Sequence, residues 1–184
     1  MAMKWKIRLS GTGGQGVIKG AVILAEGALI DGSNATQSQV YGPESRGGST
    51  RAEVNISDKA ILFPKVENPN LLLCMSPQAY EKYAKDLVPG GILVLDGDVG
   101  AGQEIPGAKV YRCPITEIAR ENLGSDLSAN VVALGVLNGI ANMVSRDAMI
   151  ESLARNFKAK IVPANIKAYD LGLEAAAKIE PYTV

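Results

Sequence analysis

Lys4-Trp5-Lys6-Ile7-Arg8-Leu9-Ser10 runs into Gly11-Thr12-Gly13-Gly14-Gln15-Gly16, and Val17–Ile30 follows. The first seven residues alternate polar and apolar side chains, which is the period of a strand. Val17–Ile30 places Val22, Ile23, Leu29 and Ile30 on an apolar helical face, and Gly32 stops it soon after Asp31. Strand, glycine turn and helix make the opening unit of an α/β fold. In that context the loop suits a phosphate: glycines let the backbone approach the anion, and free N–H groups at the helix start point toward it. The formal G-x-G-x-x-G match (Gly11, Gly13, Gly16) also has a purely structural reading, a turn packing a helix tightly on its strand.

Working outward, short strands alternate with helices. Ala35–Val40 is a polar strand, followed by the Gly- and Pro-rich loop Tyr41-Gly42-Pro43-Glu44-Ser45-Arg46-Gly47-Gly48. Ser49–Ser57 alternates cleanly, with Thr50, Ala52, Val54 and Ile56 on one face and Arg51, Glu53 and Asn55 on the other. It reads as a half-exposed strand in an antiparallel pairing, its polar face solvated or serving an interface. A short edge over Ala60–Phe63 follows. Leu71–Met75 and Ile92–Leu95 are continuous apolar runs, as central parallel strands are. Between them Ser76-Pro77 starts a helix running to about Leu87, with Ser as N-cap and Pro at its first position. Lys109–Arg112 is a further strand. Thr116–Leu123, Asn130–Met143, Arg146–Phe157 and Asn165–Ile179 are helices, the third capped by Ser145. The expected architecture is a single domain over residues 1–184, a three-layer α/β/α sandwich, Rossmann-like, around a mostly parallel, mixed sheet.

Composition narrows the chemistry. A chain of 184 residues can bury about 70% of its unfolded surface. Lys+Arg and Asp+Glu are equal at 19 each, so global charge favours neither nucleic acid nor an anionic membrane. Cys74 and Cys113 are far apart in apolar runs, without the C-x-x-C spacing of an iron–sulfur or zinc site, and read as buried reduced thiols. Histidine is absent, which removes Ser-His-Asp and Cys-His mechanisms. No signal peptide opens the chain and no stretch is long and apolar enough to span a bilayer, so the expected location is the cytoplasm. No catalytic residue and no metal ligand is assigned.

The glycine loop lacks the partners of better-known phosphate loops. A nicotinamide site needs an acidic residue closing the second strand, and Ala35–Val40 has none. No Gly-Lys-Ser/Thr follows, so it is not a P-loop. The second loop, Tyr41–Gly48, emerges where ligands bind in open α/β sheets. Its Gly47-Gly48 pair allows close approach, and Arg46 can make a planar bidentate contact to phosphate or carboxylate. Asp96-Gly97-Asp98 ends a central strand and reads as turn chemistry rather than a metal site. Asn130, Asn138 and Asn142 with Gly135, Gly139 and Ala141 give their helix a close-packing surface.

The two loops together resemble the gamma subunit of the 2-oxoacid:ferredoxin oxidoreductases. Ser49–Asp58, Phe63-Pro64-Lys65-Val66 and Ala129-Asn130 continue the resemblance over nearly the whole chain. It is most similar to the 2-oxoglutarate type. Tyr41 and Gly48 depart from the pyruvate-type loop, and Gly42-Pro43-Glu44 from the indolepyruvate type. The resemblance implies a subunit of an enzyme that decarboxylates a 2-oxoacid on thiamine diphosphate, passes electrons through [4Fe-4S] clusters to ferredoxin and releases an acyl-CoA. Thiamine diphosphate, Mg and the clusters are expected on partner subunits: alpha, beta and a ferredoxin-like delta. CoA is the one cofactor this chain would share. Its implied cofactor-binding residues are Gly11, Thr12, Gly13, Gly14, Gln15 and Gly16. Tyr41, Gly42, Pro43, Glu44, Arg46, Gly47 and Gly48 are the implied cleft or subunit contacts, with Arg46 for an anion and Gln15 and Tyr41 for polar contacts. The alternatives are a stand-alone CoA- or nucleotide-binding module, or the gamma subunit of a pyruvate- or branched-chain-oxoacid-type enzyme.

Overall fold

A seven-stranded sheet carries the molecule, in the order β2-β3-β1-β4-β5-β6-β7. A computed structural model describes residues 4–40, 48–100 and 105–183. The strands are β1 (Lys4–Thr12), β2 (Asn34–Val40), β3 (Ser49–Ser57), β4 (Leu71–Cys74), β5 (Ile92–Asp96), β6 (Lys109–Cys113) and β7 (Tyr182–Thr183). The helices are α1 (Val17–Ile30), α2 (Pro77–Tyr83), α3 (Ile115–Leu123), α4 (Ala129–Ala141), α5 (Arg146–Asn156) and α6 (Val162–Ala176). The α/β architecture is the expected one, and the sheet is mixed. β1, β4, β5 and β6 pair in parallel, whereas β2–β3, β3–β1 and β6–β7 are antiparallel.

Period-two alternation in the central strands divides the interior into two cores. Leu71, Leu73 and Val94 point to the face covered by α1 and α3–α6. Leu72, Cys74, Leu93, Leu95 and Val110 point to the other face, where Ala79, Tyr80, Tyr83 and Leu87 of α2 and its following turn pack. Both faces are covered, which is why β4 and β5 read as unbroken apolar runs. On the larger face α4 crosses α6 at backbone distance. A Cβ on Gly135 would meet the Tyr169 carbonyl, and one on Gly172 the Val132 carbonyl. Asn138 seals the same junction: its amide donates to Val144 O and Tyr169 Oη, both at 2.7 Å, and its Oδ1 accepts from Met143 and Val144 N–H at 3.0 Å. Of the small-residue surface expected on α4, Gly135, Gly139 and Asn138 make this helix contact, whereas Asn130 reaches the glycine loop and Asn142 ends the helix at φ +48°.

Local signals act as read. Ser76 Oγ accepts from Ala79 N–H at 3.2 Å and Ser145 Oγ from Ala148 N–H at 3.3 Å, capping α2 and α5. Gly32, at φ +86°, follows the end of α1. Four expectations change. Ala60–Phe63 forms no strand, β7 was not foreseen, and α6 begins at Val162 rather than Asn165. The polar face of β3 is not solvated: Glu53 and Asn55 are each 3% exposed.

The reason lies in the antiparallel half of the sheet. The register pairs Arg8 with Glu53 and Lys6 with Asn55 on β1–β3, and Ser38 with Glu53 and Thr36 with Asn55 on β2–β3. Residues 58–70 fold back over this polar face instead of leaving it open. Arg8, 2% exposed, donates from Nε to Glu53 Oε1 at 3.1 Å, from Nη1 to Asp86 Oδ2, and from Nη2 to Val66 O at 2.8 Å. Glu53 Oε2 accepts from Val66 N–H at 3.1 Å, and Asn55 Nδ2 donates to Pro64 O at 2.8 Å. Arg8 and Arg51 each lie over the Tyr83 ring, 5.5 and 5.4 Å from its centroid. A buried guanidinium is tolerable because two carboxylates and a carbonyl replace its water.

Candidate functional site

The sheet changes direction of travel between β1 and β4. The chain leaves β1 toward the β2–β3 side and later returns as β4 on the other, and ligands of open α/β sheets bind at the carboxyl ends of strands flanking such a switch. The glycine loop lies there, at the end of β1. Gly13 and Gly14 are exposed, and Gly14 has φ +95° with open space around it. Gly16 is the N-cap of α1 at φ +71°, and a Cβ there would come within 2.7 Å of Asn130 Nδ2. The dihedral at position 16 favours glycine, and a side chain there would also displace the Asn130 amide. Asn130 Nδ2 donates to Gly16 O at 3.2 Å, tying the loop to the start of α4.

Gln15 closes the switch-point crevice. Its Oε1 accepts from Thr12 N–H at 2.7 Å and its Nε2 donates to Met75 O at 2.9 Å, stitching the ends of β1 and β4 together. A Cβ on Gly11 would strike Gln15 Oε1, so Gly11 makes room for the stitch. The amide expected to contact a ligand is thus engaged within the loop. Backbone donors are what the loop offers. α1 has no side-chain cap and no acidic residue in its first turn, so its leading N–H groups and dipole are not answered by a carboxylate.

Beside the loop is a cavity of about 210 Å³ lined by Gly14, Gln15, Thr116, Asp126, Leu127 and Ala129. Leu127 is 82% exposed at its rim. Asp126 brings a negative charge to the wall, offset by Arg120 at 3.8 Å across an exposed, weak pair. The Asp96-Gly97 turn is near the same end of the sheet. Asp96 caps α3, its Oδ1 accepting from Thr116 N–H at 3.1 Å and its Oδ2 from Thr116 Oγ1. The turn is as read, with Gly97 at φ +54° and Val99 N–H donating to Asp96 O at 3.1 Å, whereas the carboxylate's contact with α3 was not foreseen. Among the described residues no group of three or more His, Cys, Asp or Glu is placed to hold a metal.

The described residues that flank the second loop lie at the same end of the sheet. Thr12 pairs with Ser49 at the end of the β1–β3 ladder, and Val40 with Arg51 at the end of β2–β3. Ser49 is thus beside the end of β1, and Val40 is one strand further out. Gly48, half-buried, immediately precedes β3, while Tyr41, Gly42, Pro43, Glu44, Arg46 and Gly47 lie outside the described residues. The two thiols take no part. Burial pushes Cys74 up to about 12 against the lowering effect of Ser10 and Arg8, and burial with the nearby Asp96 charge pushes Cys113 up to about 12. No helix among the described residues is long and apolar enough to cross a membrane. The Arg8–Glu53–Asp86 cluster was missed by sequence reading; its available signal was the in-phase polar residues of β1, β2 and β3.

Fold and site define an α/β protein with a glycine turn and an uncapped helix start at the switch point of a mixed sheet. The chain belongs to the pyruvate ferredoxin/flavodoxin oxidoreductase family, which matches residues 6–175. It is 41% identical over 180 residues to the 2-oxoglutarate synthase subunit KorC of Methanocaldococcus jannaschii, covering 96% of each chain. The crystal structure of the keto/oxoacid ferredoxin oxidoreductase gamma subunit from Geobacter sulfurreducens PCA superposes with TM-score 0.88 at 35% identity, over 98% of this chain and 100% of that one. The fold also matches 2-oxoglutarate:ferredoxin oxidoreductase from Magnetococcus marinus, solved with 2-oxoglutarate, coenzyme A and succinyl-CoA bound. There the TM-score is 0.84 at 24% identity, over 98% of this chain and 32% of that one.

Proposed function

We propose that this chain is the gamma subunit of a multi-subunit 2-oxoacid:ferredoxin oxidoreductase of the 2-oxoglutarate type. The observation that carries the reading is the near full-length identity to a KorC subunit, joined to the matching gamma-subunit fold. The reaction is oxidative decarboxylation: 2-oxoglutarate and CoA give succinyl-CoA, carbon dioxide and a proton, and two electrons pass to ferredoxin. Thiamine diphosphate supplies the carbanion chemistry and [4Fe-4S] clusters carry the electrons, both on the alpha, beta and delta-type partners. This chain's own contribution is binding and packing in the cytoplasm.

At the glycine loop the Gly13 and Gly14 backbone and the first turn of α1 hold a CoA phosphate. Charge on the anion is met by helix-terminal N–H groups, without an arginine or lysine in the cavity wall. A cavity of about 210 Å³ is smaller than the roughly 300–1,000 Å³ that encloses a whole drug-sized ligand, so only one end of CoA fits. The remainder lies against a partner subunit. From the second loop, Arg46 would supply a further anionic contact and Tyr41 a polar one, the roles implied by the family resemblance.

The assembled enzyme tests this reading. Gly13→Val is expected to raise the KM for CoA about tenfold or more while leaving the KM for 2-oxoglutarate unchanged. If the variant enzyme assembles and its CoA KM equals the wild type's, the loop serves subunit packing alone. Turnover of 2-oxoglutarate by the isolated chain with a viologen acceptor would overturn the subunit assignment.

A further inference from the structure

At the opposite end of β1 from the glycine loop, about 26 Å away by strand rise, lies a second surface. Lys4 and Lys6 point to one face of β1, and Lys59 and Lys65 belong to the connection covering that face. All four line a groove of about 320 Å³ that no carboxylate lines. None of the four ammonium groups makes an ion pair among the described residues. In a chain with 19 basic and 19 acidic residues, four unpaired positive charges around one groove are a local excess. They repel one another, and no carboxylate among the described residues pairs with them to relieve that repulsion.

The groove also has an apolar rim. Leu62 is 95% exposed and Phe63 58% exposed. The segment presenting them is pinned on both sides: Lys59 N–H donates to Ser57 Oγ at 3.0 Å, and Asn55 Nδ2 holds Pro64 O at 2.8 Å. Val66 N–H is held by Glu53 Oε2 at 3.1 Å. A fixed loop that places two large apolar side chains in water, beside unneutralised lysines, gains nothing inside the monomer.

We infer that this groove is a docking surface for an acidic, apolar-centred segment of another subunit of the same enzyme. The inference rests on the subunit reading above and adds a second interface at the pole opposite the glycine loop. A small anion would satisfy the lysines and leave Leu62 and Phe63 in water. A second copy of this chain, meeting it about a two-fold axis, would set lysines against lysines. An acidic protein surface with an apolar recess answers both halves of the groove. The lysines steer encounter and fix register, while Leu62 and Phe63 supply the buried anchor.

The experiment uses the assembled complex. Wild-type chain is first co-purified with its partner subunits; failure at this step overturns the subunit reading itself, before any variant is made. A photo-crosslinking amino acid at position 63 in the purified complex is then expected to label one partner subunit, within a segment rich in Asp and Glu. Reversing four charges (Lys4→Glu, Lys6→Glu, Lys59→Glu, Lys65→Glu) is expected to weaken assembly at least tenfold at low salt, the deficit shrinking as salt rises. Leu62→Ser with Phe63→Ser leaves the lysines intact, and is expected to weaken assembly with little salt dependence. Thermal melting of each isolated variant confirms that it folds. The proposal is overturned if both folded variants assemble like wild type at every salt concentration. It is equally overturned if the position-63 probe labels a second copy of this chain, or co-purifying nucleic acid.

Discussion

The two faces of the β1–β3 ladder are built from alternate residues of the same strands, yet they are held together by different physics. Ile7, Leu9, Ala52, Val54 and Ile56 face α1 and its neighbours and are fully buried. One residue out of phase, Arg8, Glu53 and Asn55 are buried almost as completely against the 58–70 connection and the turn after α2. The apolar face is non-directional and tolerates loss in proportion to area. The charged face depends on a closed set of donors and acceptors, so removing one partner leaves another buried and unmatched. Equal burial therefore carries unequal sensitivity.

Removing Glu53 tests that contrast most severely. Glu53→Ala strands the Arg8 guanidinium, opens the contact to Val66 N–H and frees Ser38. The expected loss is about 3–5 kcal/mol in chemical denaturation. Asp86, 30% exposed at its side chain, still pairs with Arg8 but cannot replace the lost acceptors. Val54→Ala, one residue away on the apolar face, is expected to cost about 1.5–3 kcal/mol. If Val54→Ala proves the costlier of the two, the charged face is less closed than its hydrogen bonds indicate. Replacing Arg8 and Glu53 together by Met sharpens the point. The pair is expected to recover part of the Glu53→Ala loss, because the fully buried guanidinium leaves with its partner and the charges that remain, Asp86 and Arg51, are 30% and 29% exposed at their side chains.

What the sequence made legible follows the same division. β4, β5, α1 and the capped starts of α2 and α5 were readable because each depends on its own residues: apolar runs, a 3.6-residue stripe, or a Ser three residues before an N–H. Alternation in Ser49–Ser57 identified the strand and its two faces. It could not say that the polar face is covered, because the cover is residues 58–70, which carry no apolar periodicity. That segment is held by polar contacts to Asn55, Glu53 and Arg8, and these appear only once β1, β2 and β3 are in register. The site was legible in the same partial way. Four glycines in six residues marked the loop at the sheet's switch point, whereas Gln15's task depends on Met75, 60 residues distant.

Gln15 gives the middle-sized test, since its side chain joins the ends of β1 and β4 beyond the last rung of their ladder. Gln15→Ala removes its bonds to Thr12 N–H and Met75 O, for an expected loss of about 1–3 kcal/mol. In the assembled enzyme the CoA KM is expected to rise with it, because the released Thr12 end no longer fixes the loop. Gln15→Glu keeps the acceptor for Thr12 N–H, loses the donor to Met75 O, and is expected to fall between wild type and Ala. Stability equal to wild type for the alanine variant would mean that β1 and β4 need no stitch beyond their ladder.

The smallest effects use the two thiols as reporters, because the faces hold one each: Cys113 in the apolar core under the helices, Cys74 in the core under α2. Both are protonated at neutral pH, pushed up to about 12 from the ordinary 9. With folded values above the unfolded ones, their contribution to stability is complete below about pH 9. It is lost as pH rises from there toward 12. At pH 8 native protein is therefore expected to resist a thiol-alkylating reagent at both positions. Reaction then occurs only through opening, and its rate reports the free energy of each face. Glu53→Ala should raise the labelling rate of Cys74 more than that of Cys113. Ser10 both hydrogen-bonds the Cys74 sulfur at 3.5 Å and pairs in register with Arg51, so it connects that thiol to the damaged face. Equal acceleration at the two cysteines would show instead that the faces open together. The charged network would then be part of one cooperative unit rather than a separately sensitive half of the sheet.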